Sequence, residues 1–79
     1  MDELRRFLDS EDDFSNDQIL EIFNLVGENG DVILIKNDGI RDTRKFTVVI
    51  TYSGESIRYD DETISDALKK AVKKYLKSK

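Results

Sequence analysis

Apolar positions recur with helical spacing at both ends of this chain and with strand-like alternation in its middle. Leu4, Phe7 and Leu8 stand at i, i+3 and i+4, which predicts a short helix over about residues 2–9. Ile19, Leu20, Ile22, Phe23 and Val26 repeat that spacing and predict a second helix over about 16–27. Ile64, Ala67, Leu68, Ala71, Val72, Tyr75 and Leu76 form the longest stripe, over about 64–77, with Lys69, Lys70, Lys73, Lys74 and Lys77 on the opposite arc. Between the helices, 31–37 is apolar and β-branched. From 44 to 52, Phe46, Val48, Ile50 and Tyr52 alternate with Thr47, Val49 and Thr51; from 55 to 59, Ile57 and Tyr59 flank Arg58. These three segments read as strands with one buried face.

Punctuation supports the same division. Ser15 and Gln18 have the spacing of a capping box, Phe14 and Ile19 that of a hydrophobic staple, and Asp17 suits the positive end of a helix. Gly27 to Gly30 end that helix. Asn37-Asp38-Gly39 and Ser53-Gly54-Glu55 are turn signals, and Thr63 with Asp66 caps the last helix, Asp60 being the alternative cap. The connections between strands are too short for parallel crossovers. The predicted fold class is therefore α+β: a three-stranded antiparallel sheet, helices packed on one face, order ααβββα. Its other face would carry Thr47, Val49, Thr51 and Arg58.

Seventy-nine residues make room for a single domain over 1–79. With no Cys and no His, neither disulfides nor a zinc site can staple it, so stability must come from one apolar core, which a dimer would extend. The absence of Cys, the unsignal-like start Met1-Asp2-Glu3 and a longest apolar run of only Val32 to Ile35 predict a cytoplasmic protein with no membrane span. Met1 also suggests a complete small reading frame.

Candidate chemistry is thin. The commonest general base and the commonest strong nucleophile are both missing, and Ser10, Ser15, Ser53, Ser56 and Ser65 fall at predicted caps, turns or strand ends. Asp9, Glu11 and Asp13 have the first spacing of a calcium loop, but Phe14 stands where the loop needs Gly and Leu20 where it needs Glu. Gly27-x-x-Gly30 lacks the Lys-Ser/Thr of a phosphate loop. The sequence predicts no enzyme, no metal and no cofactor.

Charge changes the picture more than any motif. Residues 1–31 hold ten Asp/Glu against Arg5 and Arg6, a net of −8; residues 32–79 hold seven against eleven Lys/Arg, a net of +4, giving −4 overall. Such asymmetry marks an interaction surface. The acids, Asp2, Glu3, Asp9 and Glu28 among them, gather around the exposed connection 9–13 and the second helix. The first reading is an inhibitor or adaptor whose acidic N-terminal face, centred on Glu11, Asp12, Asp13, Asp17 and Glu21, meets a basic protein surface. The alternative is a nucleic-acid-binding module using Arg41, Arg44, Lys45, Arg58, Lys69 and Lys73. The helix-strand-strand-strand-helix order of double-stranded RNA-binding domains favours it, whereas Asp60-Asp61-Glu62 before the last helix and a pI near 4.7 oppose it. A third reading, a homo-oligomeric structural subunit, pairs the free sheet face with a second copy; monomer and homodimer both stay open.

From Lys45 to Leu76, an alternating strand, a Gly turn, a short strand and an acidic Thr-capped turn lead into Ile64-Ser65-Asp66-Ala67-Leu68. That layout resembles small α+β accessory proteins encoded by phages and prophages. The resemblance implies a protein that acts by binding a host or defence-system macromolecule, and it carries over no functional residue.

Overall fold

A computed structural model describes residues 2–9 and 11–78, without the side chain of Asp2. Ser10, placed by the sequence in the acidic connection, lies outside the described residues. The elements are α1 (Asp2–Leu8), α2 (Asn16–Glu28), β1 (Val32–Asn37), β2 (Phe46–Tyr52), β3 (Glu55–Asp61) and α3 (Ile64–Ser78). The fold is α+β, in the order ααβββα.

Local chemistry fixes both ends of α2. The Ser15 hydroxyl accepts from the Gln18 N–H, and the Gln18 side chain accepts from the Ser15 N–H, a complete capping box. At the other end Gly30 has φ +84, its N–H bonds the Gly27 carbonyl, and the Asp31 N–H reaches back to the Val26 carbonyl. This is a Schellman closure, and its left-handed residue is glycine because a Cβ is strained there. α3 is capped by Thr63, whose hydroxyl accepts from the Asp66 N–H. Asp60, the alternative cap, is instead the penultimate residue of β3.

The sheet is the antiparallel meander β1-β2-β3, with Ile33, Ile50 and Ile57 in one row and Ile35, Val48 and Tyr59 in the next. α3 packs over β2 and β3, α2 over β1, and α1 touches both helices. Val48, Ile50 and Tyr52 meet Ala67, Leu68, Ala71, Val72, Tyr75 and Leu76, and Leu4, Phe14, Ile22 and Val26 close the cluster. Burying these side chains, at roughly 1.5–3 kcal/mol for each large one, is the main force holding the layers together.

Three expectations need correction. The second strand starts at Phe46 rather than 44, because Arg44 has φ +47 and gives its N–H to the Glu62 carboxylate instead of a ladder partner. Leu20 and Phe23 leave the apolar stripe for solvent, at 60% and 40% exposure, while Ile22 and Val26 are fully buried. Thr47, expected on the open sheet face, is only 3% exposed; its hydroxyl donates to Asp60, opposite it on β3.

Candidate interaction surface on the second helix

The acidic residues occupy two places. Asp17 and Glu21 lie one turn apart on α2, exposed, and Asp13 is exposed just before the helix. No basic residue occurs in α2. Glu11 and Asp12 precede them in the exposed connection. Glu11 borders an open cleft with Leu8, Lys69, Lys70 and Lys73, and the Asp12 carbonyl accepts a bond from the Lys69 ammonium. That ammonium also sits 5.1 Å from the centre of the Phe14 ring, within cation–π range. The Phe14 N–H donates to the buried Ser65 hydroxyl at 2.8 Å, so the end of the acidic connection is pinned to the first turn of α3. The acidic connection thus approaches the lysines of α3 through the cleft beside Glu11 and the Asp12 carbonyl, whereas among the described residues no ion pair joins Asp17 or Glu21 to a basic side chain. The side chain of Asp2, counted with the acidic surface in the sequence, lies outside the described residues.

The exposed side of α2 is not only acidic. Leu20 stands three positions after Asp17 and immediately before Glu21, and Phe23 three after Leu20, so apolar and acidic side chains share the solvent side. Sequence reasoning placed both apolar residues in the core. A signal was available in the width of the apolar arc, since Leu25, Ile22, Val26, Ile19, Phe23 and Leu20 spread over about 220° of the helix at 3.6 residues per turn. A helix lying on a two-layer domain cannot bury so wide an arc.

The basic candidates also divide. Arg41, Arg44 and Lys45 lie in the β1–β2 connection, Arg58 in the middle of β3 opposite Val49, and Lys69 and Lys73 on α3. At the connection, Arg41 reaches Asp38 and Asp60 at 3.7 Å and donates to the Arg44 carbonyl at 2.9 Å, while Arg58 reaches Asp60 at 3.4 Å. An open concavity of about 410 Å3 lies among Arg41, Asp42, Thr43, Arg44 and Asp60. The Thr47 hydroxyl, with Arg58 and Arg41, holds the Asp60 carboxyl below its ordinary range. Lys70 does the same for Asp61 at 2.6 Å, helped by the Glu62 N–H, and Asp61 in turn raises the Lys70 ammonium. This set is interleaved with carboxylates, which lowers the local potential it could offer a phosphate backbone. Lys73 is exposed and lines clefts with Leu8 and with Tyr59.

Among the described residues, no group of three or more His, Cys, Asp or Glu side chains could hold a metal ion, and no helix is long and apolar enough to cross a membrane. Comparison with known proteins finds no matching family model, curated protein or solved structure.

Proposed function

We propose that this chain is a non-enzymatic interaction protein, an inhibitor or adaptor, that captures a basic protein surface with the exposed side of α2. The observation carrying this reading is the exposure of Leu20 and Phe23 beside Asp17 and Glu21 on a helix without a basic residue. A leucine and an aromatic ring supply the apolar centre that dominates interface energetics, and the acids supply a rim that steers and selects a basic partner. Asp13 extends the rim at the helix entry; Glu11 contributes less, because it borders the cleft with Lys69, Lys70 and Lys73, and Asp12 stands beside it in the connection. Such a role fits the small accessory proteins that the 45–76 layout resembles.

Affinity capture from native lysate with the wild-type chain, the double variant Asp17→Lys/Glu21→Lys and the single variant Phe23→Ala tests the reading. Capture that weakens with salt, and is lost in both variants although each still folds, is the expected result. Proteins retained equally by all three chains would overturn it.

A further inference from the structure

We infer that the free edge of β1 is a self-pairing site, through which two copies of this chain join their sheets antiparallel about a two-fold axis. The two edges of the sheet differ sharply. β3 carries Glu55, Arg58, Asp60 and Asp61, the charged kind of edge that resists pairing, whereas β1 has no charge from Val32 to Ile35. Val32 and Leu34 are 63% and 57% exposed on the open face of the sheet, and Ile33 and Ile35 are only half-buried on the helix face.

The direction of the main-chain groups follows from the hairpin. Ser53 and Gly54 have φ +50 and +77 and form a two-residue turn between the paired residues Tyr52 and Glu55. Residues flanking such a turn exchange both main-chain bonds, and bonding alternates from side to side along a strand. Thr47, Val49 and Thr51 therefore direct their peptide groups to their β1 partners Lys36, Leu34 and Val32. Ile33 and Ile35 direct theirs out of the free edge.

Only registers that keep each face of the sheet continuous are allowed between copies. Placing Leu34 opposite Leu34 of the second copy satisfies this and aligns the outward groups, because Ile33 then exchanges bonds with Ile35 of the second copy and Ile35 with its Ile33. The Leu34 pair becomes a non-hydrogen-bonded pair, the type with the closest side chains. Val32 is covered by the alkyl stem of Lys36 of the second copy. No like charges stand opposite one another in this register. Five paired residues span about 17 Å, a short edge compared with a standard specific interface, so the dimer is concentration-dependent rather than obligate. A chain of net charge −4 repels its copy, and salt therefore strengthens this association. Capture by the acidic side of α2 has the opposite salt dependence, which keeps the two readings separable.

Sedimentation of the full chain from micromolar to millimolar concentration, at low and high salt, tests the inference together with amide exchange by NMR. Dimer is expected to grow with concentration and salt. The Ile33 and Ile35 amides, but not those of Val32 and Leu34, should gain protection as it does. Leu34→Lys, at an exposed position, faces two ammonium groups across the axis and weakens dimerisation by about tenfold or more, with melting temperature unchanged at low protein concentration. A monomer throughout the range, with fast exchange at Ile33 and Ile35 at every concentration, overturns the inference, as does a dimer indifferent to Leu34→Lys.

Discussion

The hydroxyl of Tyr75 donates to the Asp31 carboxylate and accepts from the Asn29 side-chain amide at 3.4 Å, although the ring is fully buried and packed edge-to-face on Tyr52 at 5.4 Å. One side chain thus belongs to the core of α3 and also ties the α2–β1 junction to it. Periodicity identified Tyr75 as apolar core; its polar tip was illegible, because the partners lie more than forty residues away. Tyr75→Phe keeps the packing and removes those bonds, and should cost about 1–2 kcal/mol in urea titration with an unchanged m value. Ser65 shows the same limit. Assigned by sequence to a cap or turn, it is a buried acceptor for the Phe14 N–H. Ser65→Ala should cost about 1–2 kcal/mol and speed hydrogen exchange at the Phe14 amide ahead of the rest of the core.

At the scale of elements, the sequence was most legible where the signal is local. Cap, staple and Gly30 all lie within α2 and its flanks, and the alternation of β2 needs no distant partner. Limits set by tertiary contact were read less well. Asp60 and Asp61 extend β3 because Thr47 and Phe46 stand opposite them, and residues 44 and 45 are lost from β2 because Arg44 turns to Glu62. The α2 candidate surface was half legible for the same reason: Asp17 and Glu21 follow from position, while exposing Leu20 and Phe23 depends on which arc meets β1. Two glycines of α2 and its cap give opposite predictions. Gly27 lies within the helix, and a Cβ added there meets no atom within 4 Å. Gly27→Ala should therefore stabilise by about 0.5–1 kcal/mol through helix propensity and a less free unfolded chain. Gly30 also has open space, but its φ of +84 penalises any Cβ. Gly30→Ala should destabilise by about 1–2 kcal/mol, so thermal melts of the two variants should shift in opposite directions.

At the scale of the molecule, carboxylates and cations of the basic half meet one another at the end of β3. Asp60 gathers Thr47, Arg58 and Arg41 from strand and connection, and Asp61 joins β3 to Lys70 of α3. Both carboxyls titrate below the ordinary aspartate range, Asp60 first through the Thr47 hydroxyl and Asp61 first through Lys70. A carboxyl depressed in the folded state binds fewer protons there than in the unfolded chain, so stability rises with pH through that interval. The contribution is complete above the unfolded aspartate value of about 3.9, shrinks as pH falls below it, and is gone once pH has passed the folded values. Urea titrations across the acid range should therefore show stability level at mild acidity and falling steeply below about pH 4. Asp60→Asn/Asp61→Asn should be less stable than wild type at neutral pH and should lose stability less steeply with acid, the two curves converging at the acid end. Parallel curves for wild type and variant would show that other carboxylates carry the acid response, and that the bonds at the end of β3 do not couple charge to folding.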